Sequence, residues 1–192
     1  MTEHLDVIAL VGSLREASYT RALVGALAAI APPALRIEVV EIGGLPLYNA
    51  DHEAAPPVAW RAFRQRVRAA DAVLFATPEY NRSIPGCLKN AIDVGSRPWG
   101  QGVWAGKPAA VISASPGAMG GFGANHHLRQ CLVTLDMPTL QQPEFYLAHV
   151  DTALDGAGLI AEAATRDFCL RFLGAFGAWI ARHTNTLEWL EA

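Results

Sequence analysis

The sequence predicts a three-layer α/β/α sandwich around a five-stranded parallel sheet of order 2-1-3-4-5. Three observations carry this. Short apolar runs alternate with longer segments of helical periodicity through the whole chain. The third run is uniformly apolar and the first is largely so, as strands buried on both faces are. The second mixes apolar with charged residues and the fifth contains a proline, which places both at sheet edges.

Taken in order, residues 5–11 form the first apolar run, and residues 21–30 an amphipathic helix. Residues 35–42 alternate apolar and charged side chains until Gly43-Gly44 ends them, and residues 45–57 read as a surface loop. Over residues 58–70, Trp60, Phe63, Val67 and Ala70 recur at helical spacing, leaving Arg61, Arg64, Arg66 and Arg68 for a solvated face. Residues 72–76 are the third strand, 77–85 a loop and 86–95 the next helix. Residues 108–113 are the fourth strand, followed by a glycine-rich loop over 115–123 and a helix marked by Leu128, Cys131, Leu132 and Leu135. Residues 137–140, with Pro138, are expected as the fifth strand. A long last helix over 159–183 carries the stripe Ile160, Ala163, Ala164, Phe168, Phe172, Leu173 and Phe176.

Composition narrows the partners. A net charge of −3 gives no electrostatic reason for nucleic acid or an anionic membrane. Hydrophobic residues at 52% and charged residues at 17% describe one domain, spanning 1–192, with a packed core rather than a disordered chain. No apolar run reaches the ~18 residues of a membrane span. Met1-Thr2-Glu3-His4 lacks the basic flank and apolar stretch of a secretory leader. Cys87, Cys131 and Cys169 are odd in number and widely spaced, so they predict small core residues in a reducing cytoplasm. The adjacent His126 and His127 do not share a helix face, and no metal site is expected.

The stretch from Val11 to Thr20 turns a buried strand directly into a helix through Gly12, Ser13, Arg15, Ser18, Tyr19 and Thr20. A helix N-terminus leaves N–H groups open and favours an anion. The hydroxyls of Ser13, Ser18 and Thr20 and the guanidinium of Arg15 suit a phosphate monoester. The same residues also describe an ordinary loop with a capping serine. Neither G-x-x-x-x-G-K-[ST] nor G-x-G-x-x-G is present, which argues against a nucleoside triphosphatase and against a resident dinucleotide.

A second stretch, Pro78-Glu79-Tyr80-Asn81 with Pro85-Gly86 and Leu88-Lys89-Asn90-Ala91-Ile92-Asp93, is more specific. Together with Gly12-Ser13-Leu14-Arg15, Ser18 and Ser96-Arg97-Pro98, it makes the chain resemble the NAD(P)H-dependent FMN reductases of flavodoxin-like fold, among them bacterial quinone and chromate reductases. The resemblance implies that Ser13, Arg15, Ser18, Tyr19 and Thr20 hold the FMN phosphate. It implies that Pro78, Glu79, Tyr80 and Asn81 support the isoalloxazine, with backbone N–H groups toward N5 and O4. The loop carrying Ser115, Gly117, Met119 and Gly120 can approach the pyrimidine edge, or be a flexible turn. The chain departs from the family pattern at Thr20, where relatives commonly have asparagine.

The resemblance further implies NAD(P)H as a transient co-substrate, a quinone, free flavin, chromate, ferric complex, nitro or azo compound as acceptor, and a homodimer or homotetramer with sites at the interface. Glu79, Asn81 and Arg97 are the candidates for tuning the flavin, Arg97 from a neighbouring subunit. Glu79 and Arg97 alternatively serve a salt bridge that fixes loop geometry. Lys89 and Asp93, one helical turn apart, read as a surface ion pair. Trp99 and Trp104 either cover a flavin or are buried at a subunit interface. Two other readings share the fold: a flavodoxin-like electron carrier, and a flavin-free binding domain.

Overall fold

The computed structural model describes residues 4–184; Met1, Thr2 and Glu3, and 185–192 at the far end of the expected domain, lie outside the described residues. β1 (Leu5–Val11), β2 (Leu35–Val40), β3 (Ala72–Thr77), β4 (Ala109–Ala114) and β5 (Phe145–Leu147) pair in the order β2-β1-β3-β4-β5. Every pairing is parallel, with Val7 opposite Ala72 and Val73 opposite Ala109 fixing the central register. The order and the flavodoxin-like layering are those the sequence predicts.

Strand alternation sorts the core into two clusters. Ile8, Leu10, Val73, Phe75 and Val111 face one side, against α2 (Val58–Ala69), α3 (Gly86–Gly95) and α4 (Phe122–Thr134). Val7, Ala9, Val11, Leu74, Ala76 and Ile112 face the other, against α1 (Tyr19–Ile30) and α6 (Ala163–Thr184). A one-turn α5 (Val150–Ala153) follows β5. The second strand is partly wet and sits at the edge, as its charge pattern requires.

The fifth strand lies elsewhere. Residues 137–140 touch the sheet at a single bridge, Ala109 to Thr139, where Pro138 O accepts from Ala109 N–H at 3.0 Å. The chain then steps out and re-enters as Phe145–Leu147, opposite Ile112–Ala114. Pro138 lacks an N–H donor, so the run 137–140 cannot carry a continuous ladder. The last helix likewise starts at Ala163, not 159. Phe172, Leu173 and Phe176 are buried as expected, Ala163 and Ala164 are exposed, and Cys169 and Ile180 join the stripe.

Two side chains differ from expectation within the α2–α3 layer. Arg64 is buried, with Nε donating to Val94 O at 2.8 Å and its guanidinium over the Trp60 ring. Among the described residues its Nη2 is buried without a partner, and burial lowers the Arg64 pKa. Trp104 is buried within its own chain, donating Nε1 to Ile92 O and packing on Phe63 and Phe75. It therefore covers neither a flavin nor a subunit interface. The Lys89–Asp93 ion pair forms, at 2.7 Å.

A methyl group at Gly95 would overlap the Trp104 ring, whereas one at Gly174 meets nothing within 4 Å. Gly95→Ala is expected to destabilise by about 3 kcal/mol through overpacking. Gly174→Ala in α6 is expected to stabilise by about 0.5–1 kcal/mol. Thermal and urea unfolding of the two variants check the opposite signs.

Candidate active site

β1 and β3 are neighbours, yet β1 leads to α1 on one face and β3 to α3 on the other. A gap therefore opens beyond their carboxyl ends, where this class of sheet binds ligands. Gly12 lets the two loops converge there. A Cβ at Gly12 would lie 3.2 Å from Leu88, 3.3 Å from Pro78 and 3.4 Å from Pro85.

The gap holds a crevice of about 120 Å³. Ser13, Arg15, Tyr19 and Thr20 line it from the first loop, Pro78, Glu79 and Tyr80 from the second, and Ser115 from the third. Val150, at the start of α5, closes one side, and no local sequence signal marks it. Asn81, Gly117, Met119 and Gly120 lie on the same loops outside this lining. An adjoining groove of about 460 Å³ shares Tyr19 and Val150.

The first loop has the features of an anion cradle. Ser18 is the N-cap of α1, its Oγ accepting from Arg21 N–H at 3.1 Å. Arg21 N–H and Ala22 N–H thus have partners, while among the described residues the Tyr19 and Thr20 N–H groups have none at the helix mouth. Ser13 and Thr20 are 4% and 3% exposed, and among the described residues their hydroxyls have no protein partner. Two nearly buried, unengaged hydroxyls beside two open N–H groups fit a phosphate. The Arg15 guanidinium lies 5.6 Å from the Tyr19 ring centroid, which holds a cation at the rim.

In the second loop, Tyr80 and Ser83 exchange backbone hydrogen bonds of 3.0 Å each across a turn whose central residues, Asn81 and Arg82, are both left-handed. The Tyr80 N–H is therefore engaged within the turn and does not face a ring. Glu79 is also committed. Its Oε2 accepts from Ala124 N–H at 3.0 Å and its Oε1 from Arg82 Nη1 at 2.9 Å. The N-cap of α4 is Gly121, which has no side chain to serve that turn, so Glu79 from the neighbouring loop supplies the cap. In the third loop, Gly120 and Gly121 are left-handed, and a Cβ on Gly120 would meet the backbone of residues 146–148 at 3.0 to 3.1 Å.

Arg97 is not brought to the crevice within one chain. Glu79 pairs with Arg82 instead. Arg97 follows the far end of α3, about 14 Å along that helix from its start beside the crevice. It rests against the rings of Tyr48 and Trp99, 5.8 Å and 6.0 Å away. His126 pairs Nε2 with Tyr146 Oη at 2.9 Å. Burial, and then a hydrogen bond with Glu144, push the Tyr146 phenol up to about 12.

A model of the NADPH-dependent FMN reductases matches residues 5–152. A quinone reductase from Pseudomonas putida is 55% identical over 181 residues, covering 94% of this chain and 97% of its own. The chain belongs to the FMN reductase family. A 2-hydroxy-1,4-benzoquinone reductase from a Burkholderia species is 46% identical, over 92% of this chain and 96% of the relative. A solved flavoenzyme NAD(P)H:(acceptor) oxidoreductase from Paracoccus denitrificans superposes with a TM-score of 0.88 at 40% identity, covering 92% of this chain and 97% of the other. Membership makes the chain an NAD(P)H-dependent oxidoreductase with FMN as its cofactor. Among the described residues, no helix is long and apolar enough to cross a membrane.

If Glu79 caps α4 from outside the helix, Glu79→Ala is expected to destabilise by about 1 to 2 kcal/mol, as losing an N-cap does. Hydrogen exchange at the first turn of α4 would be faster in the variant than in the native protein, with the first turn of α1 unchanged. Exchange at α4 that is equal in the two proteins contradicts the capping role.

Proposed function

We propose that this reductase passes two electrons from NAD(P)H through FMN to a quinone. The observation that carries the FMN site is the pair of unengaged, nearly buried hydroxyls of Ser13 and Thr20 at the mouth of α1. Names of relatives more than 45% identical support the quinone. The FMN bound there supplies the two-electron chemistry and the protein supplies position and electrostatics. Ser13, Thr20 and the open N–H groups of Tyr19 and Thr20 grip the phosphate, with Ser18 fixing the helix end and Arg15 adding charge. Pro78 and the N–H groups of Glu79 and Asn81 support the ring's polar edge, and the loop through Ser115, Gly117, Met119 and Gly120 flanks it. Glu79 fixes the loop. NAD(P)H and the acceptor use the same open face in turn, giving ping-pong kinetics. Free flavin, chromate and ferric complexes are further acceptors for so open a rim.

The same proposal extends to assembly and location. Trp99 is 86% exposed beside Arg97, and Leu47 is 78% exposed. Covering this face with a second copy would remove apolar surface from water and bring Arg97 of that copy to a neighbouring site, in a homodimer or homotetramer. The three free cysteines suit the reducing cytoplasm, and one sheet with a core on each face suits a single domain.

Adding NADH or NADPH without oxygen is expected to bleach the flavin band of the purified holoprotein, and adding a quinone to restore it. Steady turnover with a quinone separates a reductase from an electron carrier, and protein that takes up no FMN would contradict both. Ser13→Ala and Thr20→Val are each expected to weaken FMN binding by roughly tenfold, the loss of one hydrogen bond to a charged group. Unchanged dissociation constants in both variants would place the phosphate elsewhere.

A further inference from the structure

The turn between Tyr80 and Ser83, at the crevice, holds two consecutive non-glycine residues in the left-handed region. Asn81 has φ 52° and Arg82 φ 64°. This is the two-residue hairpin geometry in which the second central position favours glycine. An arginine there carries a steric penalty that glycine avoids, and such strain at a ligand crevice points to a use for the side chain.

That side chain is not packed away. It is 73% exposed, and Nη1 reaches both Glu79 Oε1, at 2.9 Å, and Met119 Sδ, at 3.5 Å. The guanidinium therefore spans from the second loop to the glycine loop. Among the described residues its Nε and Nη2 have no partner, leaving one edge of the fork open. Glu79 does not cancel its charge alone, since that carboxylate also serves the positive end of α4. Tyr80 and Met119 on these two loops, and Phe122 at the start of α4, expose rings and a thioether. Ser83, at the end of the turn, is tied to α4 through Oγ and His127 Nδ1, 2.7 Å apart.

We propose that Arg82 selects electron acceptors by charge. Its free edge holds the anionic oxygen of a planar aromatic acceptor, such as an ionised hydroxyquinone or a quinone sulfonate, while the exposed side chains around it take the ring. This rests on the quinone reading above. Arg82 is the residue the sequence did not single out, because only the left-handed turn reveals that an arginine stands where glycine is preferred.

The test isolates the oxidative half-reaction. Holoprotein is reduced photochemically, without NAD(P)H, and mixed anaerobically with naphthoquinone sulfonate or with a neutral methyl naphthoquinone. Arg82→Gln is expected to lower the ratio of the two second-order rate constants roughly fivefold, the scale of an exposed charge pair. Arg82→Lys is expected to retain part of the ratio. Arg82→Gly, which the left-handed backbone favours, is expected to lower it as far as Arg82→Gln does. The ratio falls with salt in the native protein and much less in Arg82→Gln. Calorimetric titration of the oxidised holoprotein with the sulfonate gives the same loss as weaker binding. A ratio and salt slope unchanged in Arg82→Gln overturn the proposal. Failure of the quinone reading appears separately, as reduced flavin that neither quinone reoxidises.

Discussion

The divergence of α1 and α3 from adjacent parallel strands is the constraint on which the rest depends. β1 and β3 are hydrogen-bonded neighbours, but the chain leaves them toward opposite faces. A sheet with both faces covered leaves its carboxyl edge uncapped at that junction. The crevice is thus a consequence of connectivity, before any side chain is considered. Gly12 then sets how narrow it is, because any Cβ would press on Leu88, Pro78 and Pro85.

Chemistry is layered onto this geometry by groups with no competing use. Ser13 and Thr20 are nearly buried, yet their hydroxyls open on the crevice and have no protein partner among the described residues. A polar group in that state favours a partner that brings oxygen atoms and negative charge. Glu79 shows the opposite economy. Its carboxylate joins the second loop to the first turn of α4, which fixes that wall of the crevice to the helix layer. A flavin that changes charge as it is reduced needs such fixed dipoles, because reorganising them at each turnover would raise the barrier.

Most of the fold was legible because the strands follow simple rules. Uniform burial makes Ala72–Thr77 and Ala109–Ala114 read as central, and α3 falls on residues 86–95 with both ends matched. The fifth strand was not legible. Met137 to Leu140 follows α4 where a strand is due, whereas Phe-Tyr-Leu is only three residues long, and the missing Pro138 donor limits the earlier stretch to one bridge. Arg64 and Trp104 misled for the same reason, since no local pattern tells that a neighbouring helix will cover a charged or bulky side chain. At the site, loop membership was readable and engagement was not. That Tyr80 N–H is taken by Ser83, that Glu79 serves α4, and that Arg82 is left-handed all depend on contacts with residues three or more positions away.

The central claim is that the mouth of α1 binds a phosphate. It is tested most directly by comparing FMN with riboflavin, which share the ring and ribityl chain and differ only in that group. Titrated into apoprotein, FMN should bind at least about a hundredfold more tightly, the equivalent of two charge-assisted hydrogen bonds. Riboflavin bound as tightly as FMN would contradict the account.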